Sequence, residues 1–472
     1  DRPNPGLVGG YLSYVKEKGV KNHEVKGFVY SDALEQYTLT GQNPSWKPLQ
    51  EILKKTIDFP WFYGLGISST AFIDAGANSS QELAFTLNKV TDYIEHLSVD
   101  LSVAQVFKEV HLILGIAGDY FFEIAKVRAC RLAVDEVARC YGIKDVSIPV
   151  LSTNSCWSKS LYDPYVNMLR NTTEAMSAIL GGCDGVLIKP HNSTFDEATD
   201  FGHRIALNIS NLLKDESYFD KVSDPAGGSY YLDNLTEQLL NKTIEIFQQV
   251  EKEGGFIAAF EKNIIQKSIA ETKAKKEGEI ATRKKVFVGS NKYPNLLESI
   301  PHQKADEKAS KTHGFDLLQP QRGIAGFEKL RQEIQRMETR IGKRPQVYLA
   351  CFGNLAMRKA RASFASDFFG TAGFDIMGEF FFDTIEEAVQ KSANSMADIV
   401  VICASDQDYA TDGASFAKSF KAQNQDKELV LAGYPADIID ELKTAGVDSF
   451  IHIKTNAIEA LTEYQNKVMA KA

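Results

Sequence analysis

Ile399-Val-Val-Ile-Cys-Ala404 is the longest strongly apolar run near the C-terminus of this sequence. Its length suits a strand buried on both faces and falls far short of the roughly 20 residues that a membrane-spanning helix needs. Such strands are typical of parallel sheets that carry helices on both sides. The run therefore predicts a parallel α/β sheet in this part of the chain.

The segments around this run alternate between strand and helix patterns. Further strands are predicted at residues 346–352, 428–432 and 449–453. The predicted helices cover residues 358–369, 384–395, 415–423, 436–445 and 457–469. The alternation predicts a flavodoxin-like domain over residues 345–472, and such domains bind ligands at the carboxyl ends of their strands.

The same alternation fills the first half of the chain. Strands are predicted at residues 25–30, 63–68, 146–152 and 185–189, and long helices at 79–97, 119–141, 164–180 and 195–213. Buried strands joined by helices predict a (β/α)8 TIM-type barrel over residues 1–255. Because a complete barrel has eight strands, we expect this one to be incomplete at its N-terminal side.

Lysine and glutamate dominate residues 256–344, as in 271–285 and 304–311. This composition predicts a charged helical linker region between the two domains, with most of the charges on a solvated face.

Composition narrows the possible classes of function. The chain has 472 residues, 44% apolar and 24% charged, and its net charge of −9 offers no basic field for nucleic acid. The cysteines lack Cys-x-x-Cys spacing, and no apolar leader follows Asp1. We therefore expect a cytoplasmic protein with neither a nucleic-acid nor a membrane partner, in a compartment that keeps thiols reduced.

Several strings in residues 60–260 resemble methylmalonyl-CoA mutases, and they occur in the family's order. The strings are Tyr120-Phe-Phe-Glu-Ile-Ala-Lys-Val-Arg-Ala129, Trp157-Ser158, Asp163-Pro-Tyr165, Asn171-Thr-Thr-Glu-Ala-Met176, Phe195-Asp-Glu-Ala198 and Asp224-Pro-Ala-Gly-Gly-Ser-Tyr-Tyr231. The resemblance implies a barrel that threads acyl-CoA, followed by a domain of the cobalamin-binding type.

The sequence departs from this family at the cobalt ligand. Active members present a histidine on an Asp-x-His-x-x-Gly loop after the first strand of the second domain, and the aspartate fixes the imidazole tautomer. Here the loop is Cys351-Phe-Gly-Asn-Leu-Ala-Met357, with Asn354 or Leu355 near the histidine position. We therefore predict a degenerate domain that binds no cobalamin. We also expect Phe352, Met357, Tyr434 and residues 380–382 to fill the vacated space.

The barrel departs from the family at two substrate contacts. A tyrosine and a histidine of the family match Thr70 and Ala71 in the stretch Ile67-Ser-Ser-Thr-Ala-Phe-Ile-Asp-Ala-Gly-Ala77. An alanine neither donates a hydrogen bond nor relays a proton, so the resemblance implies that this chain has no catalytic residues.

Other polar residues leave alternatives open. His191, Asn192 and Ser155 are predicted to line a residual pocket, since His191 follows a strand and its family counterpart lies near substrate; the alternative is a hydrogen-bonded loop histidine. Asp406 and Asp408 lack a third metal ligand at useful spacing, so we expect helix-start or loop acids.

Taken together, the resemblance implies a non-catalytic small subunit of a heterodimeric methylmalonyl-CoA mutase. Its partner would be a homologous catalytic large subunit that holds adenosylcobalamin and interconverts methylmalonyl-CoA and succinyl-CoA. Two alternatives remain: an active acyl-CoA mutase with atypical ligands, and a stand-alone acyl-CoA-binding module.

Overall fold

A computed structural model describes residues 3–144, 146–299 and 314–471. The chain divides into two compact units. The described part of the first comprises residues 3–144, 146–159, 167–275 and 314–323, and that of the second comprises 160–166, 276–299 and 324–471. The domain boundaries predicted after residues 255 and 344 remain a prediction, and residues 304–311 of the predicted linker lie outside the described residues.

Parallel strands in chain order form the sheet of the first unit. The strands are β1 (Lys26–Tyr30), β2 (Trp61–Ser68), β3 (Val110–Ile116), β4 (Val150–Asn154) and β5 (Gly185–Leu187). The helices of residues 3–281 are α1 (Pro5–Glu17), α2 (Ala33–Thr40), α3 (Trp46–Thr56), α4 (Thr70–Asp74), α5 (Ser79–Leu97), α6 (Val103–Glu109), α7 (Tyr120–Cys140), α8 (Val166–Leu180), α9 (Asp200–Asn211), α10 (Tyr230–Lys252), α11 (Gly255–Glu261) and α12 (Ile264–Ala281), of which α8 begins and α12 ends in the second unit. Within the described residues the sheet is a half-barrel of five strands, which confirms the barrel-type α/β architecture.

The sequence prediction missed β3. Helix α6 ends at Glu109 and the strand begins at Val110, so no glycine or proline marks the change from helix to strand. An apolar run without such punctuation fits a buried helix and a buried strand equally well. The strand pairs with both β2 and β4 and is therefore central to the sheet.

Helices α5, α7 and α10 form the main helical layer of the first unit. The helix predicted at residues 79–97 is confirmed as α5, which Asn78 and Gln81 begin with a capping box. Leu83, Leu87 and Val90 on its apolar stripe are buried in the unit's core. The regular 3.6-residue spacing of that stripe made this helix predictable.

The second unit has the strand order of a flavodoxin-like sheet. Its strands are β6 (Gln346–Cys351), β7 (Asp375–Phe381), β8 (Ile399–Cys403), β9 (Glu428–Ala432) and β10 (Ser449–Ile451), in the parallel order β10-β9-β8-β6-β7. The helices are α13 (Ala325–Ile341), α14 (Leu355–Gly370), α15 (Ile385–Ala393), α16 (Asp406–Asp408), α17 (Ala414–Gln423), α18 (Ile439–Ala445) and α19 (Ala457–Met469). The chain reverses direction across the sheet between β6 and β8, which is where domains of this type hold ligands.

The sequence prediction also missed β7. It is an edge strand in which burial alternates along the chain, and Gly378 interrupts its middle with a φ of 138°. A glycine inside a half-exposed strand weakens the pattern by which strands are recognised. The fully buried strands β8 and β9, in contrast, match their predicted starts at residues 399 and 428.

Glu109 is a buried carboxylate of the first unit, with a consequence for stability. Its Oε2 accepts hydrogen bonds from Thr56 Oγ1 (2.6 Å) and the Gly64 amide (3.0 Å). Burial nevertheless raises the pKa of Glu109 to about 7. Because this pKa lies above its ordinary value, the group's contribution to stability is complete below about pH 4.5 and is lost as the pH rises through about 7.

We therefore expect Glu109→Gln to stabilise the protein at pH 8 by about 3 kcal/mol, since glutamine keeps both acceptor contacts without a buried charge. Urea unfolding between pH 4.5 and 8 measures the difference in unfolding free energy between mutant and wild type. If the unfolding free energies of the two proteins changed equally with pH, the raised pKa of Glu109 would be contradicted.

The helices and the potential metal ligands of the described residues were compared with what a membrane span and a metal site require. None of their helices is both long and apolar enough to cross a membrane. The described part of the chain also contains no group of three or more histidine, cysteine, aspartate or glutamate side chains arranged to hold a metal ion.

Candidate functional site

The strand ends of the first sheet carry the two positions at which the sequence departs from the mutases. Thr70 begins α4 directly after β2, and Ala71 beside it is buried in the apolar core. The Thr70 hydroxyl lies 2.8 Å from Ser68 Oγ and donates to Glu35 Oε1 at 2.9 Å. Tyr30 at the end of β1 donates its hydroxyl to the other carboxylate oxygen of Glu35.

Glu35 is thus the centre of a hydrogen-bonded group that the sequence analysis did not identify. It lies on α2, it is buried, and it holds two hydroxyl groups from neighbouring strand ends. This arrangement satisfies Thr70 internally and places a carboxylate where barrels of this type bind substrate. Only its position shortly after β1 could have indicated the role from sequence.

Ser155 bonds a residue 81 positions away in the sequence, whereas Asn192 and the His191 carbonyl bond groups that are nearer in the sequence. The Ser155 hydroxyl bonds Asp74, whose Oδ1 also accepts from the Cys156 amide at 2.9 Å. Asn192 donates to the Glu197 carbonyl at 3.1 Å. These contacts are those of ordered loops. A residual pocket shared by the three residues remains a prediction.

The His191 ring lies edge-on to Phe201, with ring centroids 6.0 Å apart. The backbone carbonyl of His191 accepts a hydrogen bond from the Asn167 side chain at 3.1 Å. Burial lowers the pKa of His191 below its ordinary value, which favours the neutral ring. A neutral histidine packed on a phenylalanine suits an ordered loop as well as a binding pocket.

Buried ion pairs support the same strand ends from the helix side. Lys126 Nζ contacts Glu82 (2.8 Å) and Glu123 (2.5 Å) and donates to the Gly115 carbonyl near the end of β3 (2.6 Å). Two further pairs are Lys89 with Asp32 (2.5 Å) and Lys159 with Glu174 (2.6 Å). The sequence analysis missed these groups, although Glu123 and Lys126 lie three residues apart within the string that resembles the mutases.

In the second unit, the loop after β6 ends in a helix cap. Asn354 Oδ1 accepts from the amides of Ala356 and Met357, both at 3.1 Å, and so begins α14. Asn354, which lies near the position of the family's histidine, therefore caps the backbone of its own helix.

Asp408 joins the loops that follow β6 and β8. Its Oδ2 accepts from the Asn354 amide (2.9 Å), the Ser405 amide (3.1 Å) and the Ser405 hydroxyl (2.6 Å). Burial would raise the pKa of Asp408, but these hydrogen bonds hold it below its ordinary value. Gly353 has a φ of 72°, and a side chain there would collide with this carboxylate. The prediction that Asp408 is a helix-start acid is confirmed, because it completes a capping box with Ser405.

Tyr409 fills the crevice behind this link. It is fully buried, and its hydroxyl accepts from the Ala404 amide at 2.9 Å. The same hydroxyl lies within donating distance of the carbonyls of Ile402 (3.1 Å) and Ala432 (2.9 Å). The ring therefore occupies the ends of β8 and β9. Burial raises the pKa of Tyr409 well above its ordinary value, so the phenol stays neutral.

The expected set of space-filling residues was only partly right. Phe352 is buried and stacks on Phe416, with centroids 5.7 Å apart. Tyr434, in contrast, is 55% exposed and lies against His452, and Met357 is 39% exposed. The expectation for Tyr434 and Met357 was wrong because both side chains lie on the surface, and Tyr409 occupies the interior instead.

A half-barrel followed by a flavodoxin-like unit, each with polar groups at its strand ends, defines the α/β class of mutases with a substrate barrel and a cobalamin-type domain. The chain belongs to the methylmalonyl-CoA mutase family, whose model, described as "Methylmalonyl-CoA mutase", matches residues 3–349. The enzymes of this family are cobalamin-dependent isomerases.

The relatives include both subunit types. The chain is 34% identical to the methylmalonyl-CoA mutase small subunit of Porphyromonas gingivalis, over 98% of this chain and 75% of that protein. It is 28% identical to the small subunit of Streptomyces virginiae, over 95% and 73%. It is also 33% identical to the large subunit of Propionibacterium freudenreichii subsp. shermanii, over 60% of this chain and 40% of that protein.

The residues of the second unit do not fit cobalamin. The loop after β6 offers no imidazole, Asn354 is committed to a helix cap, and Asp408 ties the two loops across the crevice. Tyr409 is buried at the ends of β8 and β9. These residues therefore offer cobalamin no axial imidazole in the loop after β6.

The Asp408 link leads to a stability prediction. We expect Asp408→Ala to lower the unfolding free energy by about 1–2 kcal/mol, because it removes the capping box and leaves the Asn354 amide unpaired. Asp406→Ala is the matched control, since its ion pair with Arg361 is exposed on the aspartate side and we expect a loss of at most about 0.5 kcal/mol. Chemical denaturation measures both variants, and equal losses would contradict a special role for Asp408.

Proposed function

We propose that this chain is the non-catalytic subunit of a heterodimeric, adenosylcobalamin-dependent methylmalonyl-CoA mutase. Its partner is a homologous large subunit, which holds the cofactor and interconverts methylmalonyl-CoA and succinyl-CoA. The names of the small-subunit relatives support this division of labour. The observation that carries the proposal is the set of contacts at the strand ends of the second unit, where Asp408 joins the loops after β6 and β8 and the buried Tyr409 lies at the ends of β8 and β9.

The barrel supports the same conclusion through charge. The substrates of the proposed enzyme carry a free carboxylate in addition to the thioester. In this chain the strand ends present the Glu35 carboxylate, which repels a second negative charge in a buried setting. Ala71 offers no donor to a thioester carbonyl. The strand-end group therefore suits a folded scaffold better than a mutase active site.

The proposal extends to the setting of the enzyme. We place the assembled enzyme in the cytoplasm, with no nucleic-acid or membrane partner, because the chain is acidic overall and its cysteines are free throughout the described residues.

Purification from the native host tests the proposal. We expect an affinity-tagged chain to bring down a larger homologue together with cobalamin, and the assembly to turn over methylmalonyl-CoA. The separated chain should have no turnover. A chain that arrives without a homologue and isomerises acyl-CoA alone would instead favour an active mutase with atypical ligands.

A variant of Thr70, which stands at the family's tyrosine position, adds a second test. We expect Thr70→Ala in the assembled enzyme to change kcat/KM by less than about twofold, because the Thr70 hydroxyl is already engaged by Ser68 and Glu35. The steady-state rate of the purified assembly measures this. A loss of tenfold or more, about 1.4 kcal/mol of transition-state stabilisation, would place Thr70 in a working site.

A further inference from the structure

Cys351 and Cys403 form the last paired position of the ladder between β6 and β8. Both side chains are fully buried, and both thiols are free. The sequence analysis attached no role to either cysteine, because they lie 52 positions apart in a chain without Cys-x-x-Cys spacing.

The ladder brings the two thiols together. Paired residues of neighbouring parallel strands point to the same face of a sheet, and the strands lie about 4.8 Å apart. That separation falls inside the 4.4–6.8 Å range of Cα distances found in disulfides. Each thiol donates to the carbonyl two residues before it on its own strand, Cys351 to Leu349 at 3.6 Å and Cys403 to Val401 at 3.8 Å. Burial raises the pKa of Cys403 well above its ordinary value.

We propose that Cys351 and Cys403 are a reversible dithiol–disulfide pair that hydroperoxides oxidise when this end of the ladder opens. The inference is independent of the proposed function, because it uses only the geometry of β6 and β8.

Access to the pair depends on the two loops that Asp408 links. Cys351 and Cys403 each lie one residue before such a loop, and the hydrogen bond just past the pair, from the Phe352 amide to the Cys403 carbonyl, is long at 3.3 Å. Fraying of this last pair exposes both sulfurs without unfolding the sheet. In the closed form, burial keeps the thiols protonated and unreactive, since the thiolate is the nucleophile. The rate of oxidation therefore reports how often the loops open.

The chemistry balances with the hydroperoxide as the only oxidant. One thiolate attacks the terminal peroxide oxygen, the O–O bond breaks, and a sulfenic acid forms with release of water or an alcohol. The second thiol then attacks that sulfur and displaces the hydroxyl as water, forming the S–S bond. Two electrons pass from the two sulfurs to the peroxide. A thiol reductant reverses the reaction.

The disulfide has a structural consequence at the crevice. It fixes the ends of β6 and β8 to each other covalently, directly below the loops that Asp408 holds by hydrogen bonds. Oxidation should therefore keep the crevice closed even when the Asp408 link is lost.

Peptide mapping of the folded full chain tests the pair. After treatment with hydrogen peroxide and alkylation of remaining thiols, we expect a tryptic cross-link between residues 344–358 and 392–418, each of which holds one of the two cysteines. Two of the six thiols should be lost, and dithiothreitol should restore them. Cys351→Ser should abolish the cross-link, whereas Cys140→Ser, which changes an exposed thiol, should leave it unchanged.

The outcomes are distinct. Free Cys351 and Cys403 in the folded, peroxide-treated protein would overturn the proposal, as would a cross-link that forms only in denaturant. Asp408→Ala should accelerate cross-linking about tenfold, because Asp408 joins the loops after β6 and β8. Asp406→Ala should not, because Asp406 pairs with Arg361 instead. Equal rates of cross-linking for these variants would overturn the claim that the loops linked by Asp408 control access to the two thiols.

Discussion

Replacing Tyr409 with alanine is expected to destabilise the second unit by about 4 kcal/mol, one of the two largest effects that we predict. The ring is buried at the ends of β8 and β9, so its removal leaves a cavity that a packed sheet fills poorly. The Ala404 amide also loses its partner. Urea unfolding followed by circular dichroism measures the change in unfolding free energy.

Two control variants separate the ring from its hydroxyl and from exposed aromatics. Tyr409→Phe keeps the packing and should cost only about 1–2 kcal/mol. Tyr434→Ala removes a mostly exposed tyrosine of the same edge and should cost at most about 0.5 kcal/mol. If Tyr409→Ala were no more disruptive than Tyr434→Ala, Tyr409 would not be the residue that fills the crevice.

The second large effect is expected from Lys126→Met in the first unit, at about 3–5 kcal/mol. The ammonium lies between Glu82 and Glu123 and also satisfies the Gly115 carbonyl. Its loss leaves two buried carboxylates facing each other without a counter-charge. Thermal and urea unfolding of the variant at pH 8 measure the loss.

The pH dependence of the same variant provides an internal check. Burial raises the pKa of Glu123, and removal of the neighbouring ammonium should raise it further. Because the cost of a raised carboxylate pKa builds up as the pH rises from the ordinary value to the raised one, the variant should recover part of its stability between pH 8 and pH 5. Lys54→Met, which removes an exposed ion pair with Asp100, should cost at most about 0.5 kcal/mol at either pH. If Lys126→Met lowered the unfolding free energy by as little as this, the buried ion pairs of Lys126 with Glu82 and Glu123 would not have the predicted role.

Regular patterns made most of the fold predictable. The helices at residues 79–97 and 457–469 agree with α5 and α19, and the fully buried strand at 428–432 agrees with β9. The two helices combine a helical period with a capping asparagine at their start. Strand β9 is a short apolar run, which is typical of a strand buried on both faces. Strands β3 and β7 were missed because one follows a helix without a turn residue and the other is a half-exposed edge.

The site was less predictable, because its chemistry depends on long-range contacts. The sequence showed that Thr70 and Ala71 stand at the family's tyrosine and histidine positions. It did not show the hydrogen bonds that Thr70 makes there. Glu35 reaches Thr70 across 35 positions of sequence. Tyr409 lies among short helical turns, where a tyrosine is typically half-exposed, and only the meeting of β8 and β9 shows that its ring is enclosed.

The central claim is that this chain lacks a cofactor site, and equilibrium titration of the purified chain with adenosylcobalamin tests it most directly. The absorbance spectrum reports both binding and ligation of cobalt by histidine. We predict no saturable change for the chain alone and a saturable change only when the larger homologue is present. Binding by the chain alone with a dissociation constant near 1 µM, about −8 kcal/mol, and with the spectrum of a histidine-ligated form would contradict the account.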